Sequence, residues 1–148
     1  MNINPLFSDE DVLKLLVTFQ QNFALALDEI LKEAGEEFVK LAKDDNGSYK
    51  DDTGNLRSSI GYAIIKDNEV EFVSSFTTVK NGEAGSIHGK QLVSDIVKTL
   101  PRGVILVGVA GMTYAAAVEA KGFEVISSSS LQAESWLKQS IQTILNKV

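Results

Sequence analysis

Apolar residues recur along the first third of the chain at Val12, Leu16, Phe19, Phe23, Leu27, Ile30, Ala34, Phe38 and Leu41, in steps of four or three. These 29 residues are crossed in eight steps, about 3.6 per step, which is the repeat of a straight helix rather than of a supercoiled seam. Ser8 ahead of Asp9, Glu10 and Asp11 supplies a capping hydroxyl and then acids against the positive end of the helix dipole. Asp11 stands where a capping box prefers Glu or Gln. The pattern predicts one helix over 9–42. Leu13, Leu15, Val17, Ala24, Leu25 and Ala26 make its first half apolar nearly all round, as in a helix buried on every side. Such a helix runs to roughly 50 Å, whereas a compact domain of this size has a radius of gyration of about 15 Å. One domain can hardly cover it. The first half is therefore expected to be a subunit interface centred on Leu16, Phe19 and Phe23, in preference to part of a large monomeric core.

A second pattern begins at Thr53-Gly54-Asn55-Leu56-Arg57-Ser58-Ser59-Ile60-Gly61. Thr53 can cap a short helical turn, Leu56 and Ile60 would share its face, and Gly61 would stop it. Tyr62–Lys66, a turn at Asp67-Asn68 and Glu69–Val73 read as a hairpin, with Val70 and Phe72 on one face of the second arm. Lys80–Gly85 reads as a flexible tip. A helix follows, with Ile87, Leu92, Val93, Ile96, Val97 and Leu100 on its apolar face and Pro101 at its end. Residues 103–110 are apolar throughout, the mark of a central strand. Thr113 can cap a two-turn helix carrying Tyr114 and Val118 and ended by Gly122. Phe123–Ile126 reads as a final strand. Ser127–Ser130 offer caps for a last helix with Leu131, Trp136 or Leu137, Ile141, Ile144 and Leu145 inward. The expected fold is α+β: a long amino-terminal helix on a small, mainly antiparallel sheet, with short helices and a carboxy-terminal helix.

Length and charge narrow this picture. A chain of 148 residues suits a single domain spanning 1–148. Residues 1–60 carry 12 acidic and 6 basic side chains, and residues 61–148 carry 8 of each, so the whole net charge of −6 lies in the first part. No basic footprint for nucleic acid is visible, and sequence-specific nucleic-acid binding is not expected. The amino terminus lacks the order of a signal peptide, and no run approaches the roughly 20 apolar residues of a membrane span. A soluble protein made in the cytoplasm, without membrane contact, is the expectation.

Candidate chemistry fails at each motif. Counted as a calcium loop from Asp44, the sixth place is Tyr49 and the twelfth Asn55, where Gly and Glu are needed. Residues 44–52 are thus expected to be a solvated acidic loop. Gly85–Lys90 lacks the first glycine of a phosphate loop, because Ala84 stands there, and has Gln91 in place of Ser or Thr. His88 is the only histidine, and with no cysteine it has no partner for a metal, so it reads as an exposed loop residue. No cofactor or metal is expected.

Two stretches carry a resemblance: Thr53-Gly54-Asn55-Leu56-Arg57-Ser58-Ser59-Ile60 and Tyr114-Ala-Ala-Ala-Val118-Glu119. In order and spacing they resemble the tail-component, or neck and tail-completion, proteins of long-tailed bacteriophages and prophages. The resemblance implies an α+β structural protein of the virion, ring-forming at the head–tail junction and without catalysis. It also implies copies of itself and neighbouring connector and tail proteins as partners. Thr53, Gly54, Leu56, Arg57, Ile60, Tyr114, Val118, Glu119 and Gly122 are then structural motif residues. The chain departs from the family in having two residues, Ala120 and Lys121, between Glu119 and Gly122. The stretch near 87–100 reads as an insertion.

Arg57 lies opposite Leu56 and Ile60 on its turn, and Glu119 lies off the Tyr114–Val118 face. A bidentate pair between them would join the two motifs. A catalytic Glu119 would need a second acid–base group, and none stands out. The alternative function is a small ligand-binding or hydrolytic domain using the 44–52 and 82–89 loops. On the structural reading, 44–52 and 80–90 are docking segments, ordered when the acidic loop of one copy meets the basic loop of the next.

Overall fold

The computed structural model describes residues 3–44, 50–120 and 125–147. The first helix, α1, covers Asp9–Ala42. Its capping box is complete: the Asp11 amide donates to Ser8 Oγ at 3.2 Å, and the Ser8 amide donates to the Asp11 carboxylate at 2.8 Å. One turn, α2 (Asn55–Ser58), leads into β1 (Ile60–Lys66), which is followed by β2 (Glu69–Val73). Then come α3 (Glu83–Ile96), a 3-10 turn (Val97–Thr99), β3 (Val104–Ala110), α4 (Ala115–Ala120) and α5 (Ser127–Asn146). The α+β expectation holds, with a three-stranded antiparallel sheet of order β2-β1-β3.

The sheet has its core on both sides. Ile60, Tyr62 and Ile64 face a cluster containing Leu31 and Phe38 of α1 and Ala133 of α5. Ala63 and Ile65 face the other way, onto Phe76, Val93, Val97 and Val109. The central strand is therefore β1 and not the all-apolar β3, which lies at the edge with Val104 48 % exposed. A run of apolar residues marks a strand without telling which neighbours flank it. Gly61 does not stop a helix either. It lies within β1, where a Cβ would run into the Phe76 ring and Ser74 Oγ.

The hairpin turn has left-handed backbone at both Asp67 (φ 49°) and Asn68 (φ 67°), the geometry of a tight two-residue turn whose twist matches the strands. Past the turn a bulge breaks the alternation: Ile64 pairs with Phe72, but Ile65 pairs with Val70. Val70 and Phe72 therefore do not share a face, contrary to the simple pattern.

The glycine-rich stretch is not a flexible tip, since α3 already begins at Glu83. Ile87, expected on its apolar face, is 68 % exposed, while Val93 is buried. His88 is exposed as expected, but on a helix rather than a loop. Phe123 and Glu124 of the expected final strand lie outside the described residues, and Val125 and Ile126 form a bend into α5. Leu131 of the expected apolar face of α5 points outward, whereas Ala133 and Leu137 join the core.

Helix α5 runs antiparallel to α1. Its early residues Ala133 and Leu137 lie near Gly35 and Phe38, and Ile144 near its end lies beside Phe19 and Phe23. Every residue of α1 from 9 to 22 is exposed, and beyond Phe19 no other described element is seen to cover it. At about 1.5 Å per residue this overhang is roughly 20 Å long. No helix among the described residues is long and apolar enough to cross a membrane.

Candidate functional site

The first motif folds into a tightly held junction. Gly54 has φ 81°, and a Cβ there would collide with the Val79 carbonyl, so both the backbone angle and the space require glycine. The Asn55 amide donates to Thr53 Oγ1 at 3.3 Å, the bond expected of Thr53. The stronger cap was missed. Asp51, read as part of a solvated loop, is buried, and its carboxylate accepts from the Gly54 amide at 3.2 Å and the Arg57 amide at 2.9 Å. An aspartate six residues before the amide it binds lies outside the usual capping spacing. Leu56 and Ile60 both enter the core facing α1, as their spacing predicts. Arg57 is buried as well.

Helix α3 lies directly on this junction. The Gly85 amide donates to Asn55 Oδ1 at 3.1 Å, and a Cβ on Gly85 would overlap the Asn55 carbonyl oxygen. Ser58 Oγ accepts from the Val79 amide at 2.7 Å, and Lys80 Nζ donates to the Asp51 carbonyl at 2.7 Å. The basic and acidic segments expected to meet between copies are thus joined within one chain. Residues 45–49 of the acidic loop lie outside the described residues. Of the other acids, Asp44 follows the end of α1, its amide donating to the Leu41 carbonyl at 3.4 Å, and Asp52 is exposed and pairs with Lys50 at 3.3 Å.

The second motif approaches the same junction from α4. The Gly111 amide donates to the Ser59 carbonyl at 3.1 Å. Burial, and after it the nearby charge of Asp51, push the Tyr114 hydroxyl above its ordinary value. Thr113 does not cap α4. The Ala115 amide donates instead to the Met112 carbonyl at 3.0 Å. Val118 lies on α4, and Gly122 lies outside the described residues.

Glu119 makes no ion pair with Arg57 among the described residues. Its carboxylate accepts from the amides of Val125 (2.9 Å), Ile126 (2.7 Å) and Ser127 (3.1 Å) and from Ser127 Oγ (2.8 Å). It therefore caps the start of α5, the role expected of the serines there. Desolvation pushes its carboxyl up, but the bonds from Ile126, Ser127 and Val125 outweigh this and hold it below the usual carboxylate range. A carboxylate fixed by four donors is a structural anchor and a poor general base.

Tyr62 joins the sheet to α1 through a bond from its hydroxyl to Glu36 at 2.8 Å. Among the described residues no group of three His, Cys, Asp or Glu side chains could hold a metal ion. The 82–89 segment proposed for ligand binding is closed by the contacts of Gly82, Gly85 and Gly89.

The other distinctive surface is the overhang. Leu13, Leu15 and Leu16 are 61 %, 71 % and 57 % exposed. Phe19 is also exposed, and its ring stacks on that of Phe23 at 6.2 Å. Phe23 is half-buried beside Ile144, at the point where α5 ends. The face that Leu31, Ala34 and Phe38 bury in the core thus continues past the last element able to cover it.

A family model described as "Bacteriophage HK97-gp10, putative tail-component" matches residues 10–125, which include both motifs and nearly all of α1. No curated protein and no solved structure matches the chain.

Proposed function

The chain belongs to the HK97-gp10-like family of phage tail components, and from that premise we propose that it is a non-catalytic virion subunit that forms a ring at the head–tail junction. The observation that carries this reading is the overhang of α1. A soluble monomer rarely exposes so continuous an apolar surface unless a partner covers it. Leu16, Phe19 and Phe23 are its centre, and copies of this chain, with connector and tail proteins beyond them, are its partners. The motif junction supports the role from the other side. Its polar groups are spent on holding α2, α3 and α5, which suits a structural subunit, and among the described residues they leave no paired acid and base.

The test is deletion of the gene from the parent phage or prophage, followed by electron microscopy of the lysate. Filled heads and separate tails are the expected products, and complementation by the intact gene should rejoin them. Normally joined particles lacking the protein would overturn the reading.

A further inference from the structure

The two outer edges of the sheet differ. Along β2, Glu69 and Glu71 bring charge and a bulge interrupts the ladder, both of which discourage a further strand from adding. Along β3, the residues Val104–Ala110 contain no charge, no proline and no bulge. At the two ends of the β1–β3 ladder, the Gly111 amide donates to the Ser59 carbonyl and the Asp67 amide to the Gly103 carbonyl. Bonded pairs alternate along an antiparallel ladder, so Ile105, Val107 and Val109 turn their amides toward β1. Val104, Leu106, Gly108 and Ala110 turn theirs outward, where no bond to a described residue is found. Gly108 is exposed even though the Phe38 ring closes the space on its α1 side. It has no side chain, so the surface it shows to solvent is main chain.

We infer that this edge pairs with β3 of a second copy, antiparallel and two-fold about Val107. An open main-chain edge selects a strand as its occupant, and β3 fits itself. With Val107 opposite Val107, Val104 comes opposite Ala110 and Leu106 opposite Gly108, so every outward amide and carbonyl of both strands has a partner. Sizes match too. On the face toward α1 each of those pairs sets a large residue against a small one, and on the α3 face Ile105 meets Val109, both shaped for a pleated surface. A cavity of about 330 Å³ between α1, α5 and the sheet is lined by Leu106 and Gly108, so the partner's Leu106 arrives beside apolar space. Nearby charges do not oppose the pairing. Past the strand Arg102, which lies 3.9 Å from Asp67, comes opposite Met112, Glu134 on the cavity wall is paired with Lys138 at 2.7 Å, and Lys66 lies one strand inward. Strand β2, with its two glutamates and bulge, offers no such fit. The contact is isologous and uses none of the residues of the overhang, so either contact can fail without the other. It falls short of the roughly 1,000 Å² of a stable interface and is weak by itself.

The chain has no cysteine, so Val107→Cys introduces a single thiol. Facing residues of a non-bonded antiparallel pair have Cα atoms about 4.5 Å apart, within reach of a disulfide. Under mild oxidation the full-length variant should form a disulfide dimer about ten-fold faster than Val104→Cys, whose own counterpart lies roughly 20 Å along the partner strand. A second measurement needs no change in the strand. In Leu16→Glu, where the overhang is disabled, amide exchange would be followed by NMR at concentrations well above those of sedimentation. Exchange at Leu106, Gly108 and Ala110 should slow as concentration rises, while Val107 and Val109, already bonded to β1, stay unchanged. Equal oxidation rates, with exchange at those three amides independent of concentration, would overturn the pairing. A faster disulfide from Val104→Cys would overturn the two-fold register. Slowing in assembled particles but never in the isolated chain would give the edge to a strand of another protein and overturn the self-pairing.

Discussion

The motif junction and the overhang of α1 are opposite solutions to the same problem of covering a helix. At the junction, α3 lies so close to α2 that Gly85 has no room for a Cβ, and buried Asp51 and Ser58 spend their oxygens on neighbouring amides. On the overhang, Leu13, Leu15 and Leu16 are each more than half exposed. Residues of the first kind determine whether the chain folds. Residues of the second kind, which folding leaves unused, are free to act between molecules. Stability measured on the isolated subunit should separate the two groups, and association should separate them in the reverse order.

The largest expected effect is at the junction's closest approach. Gly85→Val should cost about 3 kcal/mol of folding stability in chemical denaturation, because even its Cβ overlaps the Asn55 carbonyl. A loss below about 0.5 kcal/mol would mean that α3 does not pack against α2 at Gly85. Asp51→Ala comes next, at about 2 kcal/mol, since it removes the partner of two amides at the start of α2. Asp51→Asn should recover part of that loss.

Glu119→Gln tests the α5 cap through pH. The Glu119 carboxyl lies below its ordinary value of 4.5 in the folded state, so its contribution is complete above that value. The contribution is lost as pH falls through the lower folded value. Urea midpoints taken between pH 7 and pH 3 should fall more steeply for the natural chain than for Glu119→Gln. Parallel curves would remove Glu119 from the role of cap. The smallest effect is expected on the overhang. Leu16→Glu should change the folding stability of the monomer by less than about 0.5 kcal/mol, yet abolish association in sedimentation. A large loss of monomer stability would show that this half of α1 is covered within its own chain, and the comparison between the two regions would fail.

Much of the fold is legible in the sequence wherever a pattern repeats. The apolar period fixes α1 to its observed ends at Asp9 and Ala42, and Asp67-Asn68 marks the hairpin turn. Three features were hidden for different reasons. Glycines at 82 and 85 read as freedom of the backbone, whereas they and Gly89 permit close approach, and sequence alone does not separate these uses. The position of β3 at the sheet edge depends on pairing with β1, which leaves no trace in its own composition. Asp51 and Glu119 act as caps from six to eight residues away, beyond the local spacing by which caps are recognised. The same distance effect misdirected Arg57 toward Glu119, because both are single charges in short motifs, and the amides that claim the carboxylate are invisible until the chain folds.

Gly35 has a mechanical consequence. The Tyr62 ring occupies the space where a side chain at Gly35 would lie, and the bond from Tyr62 to Glu36 fastens α1 to the sheet beside it. With the packing of α5 as far as Phe19 and Phe23, that seat fixes the direction in which α1 leaves the core. The overhang beyond it is a lever of roughly 20 Å, so a bend of about one degree at its base moves the tip by about 0.35 Å. The tip can therefore shift against whatever meets it while the packing around Gly35 and Tyr62 stays as it is.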